Sequence, residues 1–226
     1  MHPSAMANAF LFFKTYISAG EKKVIVEIGS LDVNGSIREV APKGAKYIGL
    51  DFAEGKGVDI ILDDPYTLPF EESSIDVCVS SSVFEHSEMF WLLFLEILRI
   101  LKPNGLFYLN APSNGNFHRY PVDCWRFYPD SGKALVTWAK RNNYSPGMLE
   151  SFVSNQIDIW NDFVAVFVKE DVHAIEYPNR ILQRKTDFYN GIVQNSPEIL
   201  NLSIFSEDQK KLIVIKQIID KEIKIQ

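Results

Sequence analysis

Residues 24–36 read Val24-Ile25-Val26-Glu27-Ile28-Gly29-Ser30-Leu31-Asp32-Val33-Asn34-Gly35-Ser36. The first five form a short apolar run broken only by Glu27, and turn-forming residues follow at once. Such a run predicts a strand buried on both faces, as in a parallel sheet. Gly29 stands where the backbone of a strand-end loop can approach a ligand closely. Beyond it the glycines of a dinucleotide loop are missing, because Leu31 and Val33 take their places and no GxGxxG spacing exists. Asp32, Asn34 and Gly35 are turn-formers, and Asn34-Gly35 supplies a positive-φ turn one step later. The loop therefore reads as remodelled rather than lost.

Outward from this stretch, strand and helix signals alternate to about residue 110. Lys46–Asp51 (KYIGLD), Val58–Leu62 (VDIIL), Ile75–Ser80 (IDVCVS) and Leu106–Asn110 (LFYLN) predict four more strands. Phe90, Leu93, Phe94, Ile97, Leu98 and Leu101 recur at helical spacing, and Lys102-Pro103-Asn104-Gly105 stops that helix. This alternation predicts an α/β fold with a doubly wound, mostly parallel sheet. Gly132–Asn142 reads as a helix. Met148–Ser154 and Asp162–Lys169 read as two antiparallel strands closing one edge. A helix is expected over residues 4–18. Ile181–Tyr189 and Glu207–Ile225 read as helices of a C-terminal extension, residues 173–226, after a main domain of residues 1–172.

The bulk composition narrows the function classes. The 226 residues carry a formal net charge of −6, which disfavours nucleic acid as a partner. No apolar window reaches membrane-spanning length, and the first residues lack a basic leader. Cys78 and Cys124 offer neither a disulfide framework nor a metal-ligand spacing, and no metal site is read from the sequence. This usage fits a reducing, cytoplasmic setting.

In an open parallel sheet, ligands bind beyond the carboxyl ends of the strands, near the point where strand order reverses. The first predicted strand ends in Glu27 and the Gly29 loop. The second ends in Asp51, placed to accept hydrogen bonds from both hydroxyls of a ribose. The third ends in Asp63-Asp64, and a carboxylate there can accept from an adenine amino group. The fourth leads into Ser80–His86 (SSSVFEH), and the fifth into Asn110–Tyr120.

Taken together, VIVEIGS, YIGLD, LDDPYTLPFEESSIDVCVSSSVFEH and LRILKPNGLFYLNAP resemble the class I S-adenosylmethionine-dependent methyltransferases, in the branch called type 11. The resemblance covers about residues 20–130. It implies a Rossmann-like fold and S-adenosylmethionine as cofactor. It assigns Glu27 to the methionine amino group, Gly29 and Ser30 to the close approach, Asp51 and Phe52 to the ribose side, Asp63, Asp64 and Pro65 to adenine, and Ser81 or Ser82 to the methionine part. It also implies a small-molecule or glycan-linked acceptor, methylated at oxygen or nitrogen. A protein that keeps the pocket without turnover is the alternative, and the missing GxGxxG disfavours an NAD-dependent oxidoreductase.

Methyl transfer needs alignment and, for an amine or hydroxyl acceptor, a base. Of four histidines, His86 reads as architectural. His118 lies in NFHRYPVDCWRFYPD, residues 116–130, directly after the fifth strand. His118 is the expected base, with Asp123 orienting or replacing it. Arg119, Trp125, Arg126 and Tyr128 are the expected acceptor contacts, with the competing reading that Trp125, Phe127 and Tyr128 pack a lid onto the core while Arg126 and Asp123 pair internally. Phe12, Phe13 and Tyr16 are candidates for covering the cofactor, with core packing as the competing reading. Leu212, Ile213, Ile215, Ile218 and Ile219 give the tail an apolar face suited to a homodimer contact.

Overall fold

The computed structural model describes residues 2–18, 20–157 and 159–220. The elements are α1 (Pro3–Tyr16), β1 (Val24–Ile28), β2 (Lys46–Asp51), β3 (Ile60–Ile61), β4 (Ile75–Ser81), α2 (Phe90–Ile100), β5 (Leu101–Pro112), α3 (Ser131–Arg141), β6 (Gly147–Ser154), β7 (Asp162–Val168), β8 (Phe188–Val193), β9 (Ile199–Leu200) and α4 (Glu207–Ile219). One sheet runs in the order β3-β2-β1-β4-β5-β7-β6-β8-β9. Its first five strands are mutually parallel and the last four are joined antiparallel. The order reverses between β1 and β4, which sets the ligand crevice there.

Alternation along the strands divides the core between the two faces. Ile25, Val77 and Tyr108 point to the face covered by α1, where Phe12 stacks on Tyr108 at 4.8 Å. Val26, Cys78 and Phe107 point to the other face, which α2 and α3 cover with Leu93, Phe94, Ile97, Leu135 and Ala139. The expected helix with Phe94, Ile97 and Leu98 on its apolar stripe is thus α2, and that stripe is buried.

Two readings change. Lys102–Gly105 stops α2 as expected but opens no loop: β5 starts at Leu101, and a register shift from the Ile75–Leu101 pair to the Val77–Leu106 pair absorbs the extra residues. Ile181–Tyr189 is not a helix. Residues Ile181–Gln183 make one tight turn, and Phe188 begins β8, which pairs antiparallel with β6. The cause is tertiary. The buried Glu150 carboxylate accepts the backbone N–H groups of Ile181 and Leu182 at 2.6 and 3.0 Å, which pins the turn, and β6 offers an open edge to the residues after it. The sheet therefore continues past residue 172. The expected C-terminal helix is α4, and its predicted continuation over 221–225 lies outside the described residues. No helix among the described residues is long and apolar enough to cross a membrane.

Candidate active site

A cavity of about 690 Å³ opens at the carboxyl ends of β1, β2, β4 and β5, at the point where strand order reverses. Its size falls within the range of small-molecule and cofactor pockets. One side is formed by Gly29, Leu31, Val33, Asn34, Gly35, Asp51, Phe52, Leu62 and Pro65. Ser81 and Ser82 lie at its floor where β4 ends, and the other side carries Glu85, His86, His118, Arg119 and Asp162.

The loop after β1 is held by its own chemistry. Gly29 has φ +77°, and a side chain there would collide with Val83, so glycine is required on two grounds. Leu31 folds back over Gly55, where a Cβ would again clash. Asp32 closes an Asx turn on the Gly35 N–H at 2.7 Å, and Gly35 takes φ +112°. Asp32 also pairs with Lys56 at 2.5 Å, and its N–H donates to the Lys56 carbonyl. The loop is thus tied to the β2–β3 connection, and apolar side chains line the cavity where the glycine-rich pattern would leave space.

Asp51 is buried, and its two oxygens accept the N–H groups of Leu31 and Ala53, both at 3.1 Å. Those bonds orient the carboxylate at the cavity wall with lone pairs left for ligand hydroxyls. Glu27 lies behind the loop, outside the lining. Burial raises its carboxyl from 4.5 to about 7, against the opposing effect of the Tyr47 hydroxyl, Arg38 and Ser36. Tyr47 and Ser36 both donate to Oε2, at 2.9 and 3.5 Å. Ser30 is buried beside Gly49 and does not reach the lining. Asp63 and Asp64 also stay outside it. Asp64 accepts the Tyr66 N–H and the Thr67 hydroxyl of its own turn, both at 2.9 Å, so the cavity meets Leu62, Pro65 and Tyr66 there instead.

The segment after β5 divides in the same way. His118 and Arg119 line the cavity; Asp123, Trp125, Arg126 and Tyr128 do not. Arg126 grips Asp123 through both guanidinium nitrogens, at 2.6 and 2.9 Å, and Asp123 also accepts the His118 N–H at 2.7 Å. Those donors, led by Arg126, hold the Asp123 carboxyl down at about 2. Asp123 is therefore a poor proton acceptor at neutral pH. It orders the loop, binding the His118 N–H and the Arg126 guanidinium. Trp125 donates to the Ser87 carbonyl at 3.0 Å and packs edge-on against Phe90 and Trp91, while Tyr128 is 63% exposed outside the pocket.

Phe12, Phe13 and Tyr16 are buried in the core under the sheet, so the core reading holds for them, and only His2, the residue just before α1, reaches the cavity among the described residues of this end. Sequence reasoning also passed over Glu85 and Asp162. Both are buried, and burial raises both carboxyls, Glu85 to about 8. The available signal was the Glu85-His86 pair, two polar residues just past a strand's carboxyl end.

The donor set and the cavity suit S-adenosylmethionine: an acid for the ribose at Asp51, an apolar wall of Leu62 and Pro65 for adenine, and a floor of Gly29 and Ser81 for the methionine part.

Residues 26–109 match the model of the methyltransferase domain family. An uncharacterized methyltransferase of Mycobacterium avium is 33% identical over 147 residues, covering 55% of this chain and 58% of that protein. One from Mycobacterium marinum is 46% identical over 92 residues, covering 34% and 36%. The chain thus spans between about a third and three fifths of the length of these relatives. Among solved structures, the Burkholderia thailandensis 1,6-didemethyltoxoflavin-N1-methyltransferase, bound to its namesake and S-adenosylhomocysteine, superposes with a TM-score of 0.55 at 15% identity, covering 74% of this chain and 79% of that one. A SAM-dependent methyltransferase from Archaeoglobus fulgidus gives 0.54 at 15% identity, covering 74% and 93%. At such identity these two speak for the fold alone.

Proposed function

We infer that this chain, a class I S-adenosylmethionine-dependent methyltransferase, methylates a small-molecule or glycan-linked acceptor at oxygen or nitrogen. The observation that carries the reading is the cavity at the strand-order reversal, with Asp51 and the Gly29 loop on one side and His118 and Arg119 on the other. When bound, S-adenosylmethionine supplies an electrophilic methyl group on a sulfonium. Asp51 holds the ribose end, and Gly29, Ser81 and Ser82 lie along the methionine part. His118 is the member of the expected His118–Asp123 pair that faces the cavity, and it prepares the acceptor for attack. Arg119 and Tyr120, on the same wall, orient a polar acceptor. Glu85, Asp162 and the closed loop at residues 116–126 shield that side from water.

Calorimetry with S-adenosylmethionine and S-adenosylhomocysteine tests the reading. Asp51→Ala should abolish binding of both, because one carboxylate orders both the loop and the ribose. His118→Ala should leave binding intact and suppress turnover at least ~100-fold. No binding of either ligand by the unaltered protein overturns the reading. Binding without turnover on any acceptor supports instead the catalytically silent form, which the apolar Leu31 and Val33 at the wall favour. The exposed apolar residues of α4, Leu212, Ile213, Ile215 and Ile219, are the surface we assign to self-association. A monomeric mass by light scattering would remove that assignment.

A further inference from the structure

Glu85, His86 and His118 come together on the acceptor-side wall, where one donor atom from each lies within 4.8 Å of the other two. Their order is built in. His86 Nδ1 sits 2.5 Å from the Val122 carbonyl, and His118 Nδ1 sits 3.0 Å from the Asn116 carbonyl. A carbonyl only accepts, so both rings carry their proton on Nδ1 and leave the Nε2 lone pair open. Histidines that ligate metal ions are oriented in this manner, by a backbone carbonyl or carboxylate on the far ring nitrogen. The His118 ring is held edge-on between His86, at 4.9 Å, and Trp160, at 4.8 Å.

The carboxylate supplies an independent observation. Glu85 is 1% exposed and lines the cavity, yet its Oε2 has no hydrogen-bond partner among the described residues. A buried carboxylate oxygen without a donor is costly, and native folds rarely leave one. Asp162 is a second buried acid lining the same cavity. The nearby Arg126 guanidinium makes its hydrogen bonds to Asp123 and to the Trp125 and Asn116 carbonyls, not to Glu85.

We propose that Glu85, His86 and His118 form a binding site for a divalent transition-metal ion on the acceptor side of the cavity. Two imidazole nitrogens and one carboxylate oxygen suit zinc, cobalt, manganese or iron better than calcium or magnesium, which prefer all-oxygen cages. Metal–donor bonds of about 2.0–2.2 Å place donors around one ion roughly 3–4 Å apart. The His86 Nε2–Glu85 Oε1 separation of 3.8 Å already meets this, and a donor atom of His118 lies within 4.8 Å of both partners, so ion binding draws the three side chains closer. Three protein ligands leave coordination positions open toward the cavity. The site stands on its own geometry and does not depend on the methyl-transfer reading.

The test is calorimetry of the full chain with zinc chloride, together with the visible absorption of added Co²⁺. One ion per chain should bind, with the ligand-field band of a nitrogen- and oxygen-bound Co²⁺. Outer-sphere changes alone weaken metal sites 10–100-fold, so His86→Ala and His118→Ala should each cost at least ~100-fold in affinity and erase the band. Glu85→Gln, which keeps shape and fold, should do the same. Thermal melting and S-adenosylhomocysteine calorimetry on the same samples separate loss of the ion from loss of the fold or of the methyl-donor pocket. No zinc binding tighter than millimolar, or binding that survives the His86→Ala/His118→Ala double change in a folded protein, overturns the proposal.

Discussion

Two acids of the site region behave oppositely with pH because their surroundings differ. For Glu27, burial outweighs the Tyr47 and Ser36 hydroxyls and the Arg38 charge, and its carboxyl rises from 4.5 to about 7. Its contribution is complete below pH 4.5 and is lost as pH rises through about 7. In the ligand-free protein, Glu27→Gln should therefore be more stable than the unaltered chain above pH 7, by about 3 kcal/mol, with the gap closing toward pH 4.5. Urea titrations at a series of pH values measure it, and a gap independent of pH would contradict the burial argument. Asp123 is also shielded from water, but the Arg126 fork and the His118 N–H favour its charge and lower it from 3.8 to about 2. That stabilisation is complete above pH 4 and disappears as pH falls through 2. Asp123→Asn should cost about 2 kcal/mol at pH 7, with most of the difference gone by pH 2. A constant cost down to that pH would place the role in packing. The charges of these residues were legible in the sequence, but which partner reached each carboxylate was not. For Asp123 the sequence left two roles open, a base or an internal partner of Arg126, and the structure closes Arg126 on it.

At the scale of elements, apolar spacing carried most of the information. The runs at 24–28 and 75–80 are strands buried on both faces, the run at 46–51 is buried over Gly49–Asp51, and the Phe94-Ile97-Leu98 stripe of α2 meets one face of the sheet. On the other face α1 presents Phe12, fully buried and stacked on Tyr108. Phe12→Ala should destabilise the protein by about 3–5 kcal/mol, as large-to-small changes in closed cores do. Thermal melts read this, and a loss below ~1 kcal/mol would mean that α1 is not part of the cooperative core. Residues 181–189 show where spacing misleads. Ile181, Leu182, Phe188 and Tyr189 suit a helix face equally well. Glu150, some thirty residues earlier, takes the amides of Ile181 and Leu182, and the open edge of β6 pairs with Phe188 and Tyr189. No local pattern contains those partners.

For the molecule as a whole, strand order decides where chemistry can occur. The reversal between β1 and β4 opens the crevice, and residues 29, 51, 81 and 118, far apart in the chain, meet there. The sequence alone determined the elements that build this crevice. An apolar run must be buried, a run ending in an acid at a strand terminus must face the sheet's carboxyl end, and Gly29 must follow where the backbone turns with φ +77°. It also signalled the loop's remodelling, since Asp32 closes a local turn on the Gly35 N–H, although Lys56 and Asp51, from distant segments, fix that loop in place. The tertiary structure decided which polar residues reach the cavity. It kept Asp63, Asp64, Trp125, Arg126 and Tyr128 out, brought in His2, Glu85, His86 and Asp162, and set two imidazole lone pairs beside a buried carboxylate. The physical reason is range. Periodicity and turns act over a few residues, whereas burial and hydrogen-bond partners are assigned by contacts between segments tens of residues apart, which exist only once the sheet has formed.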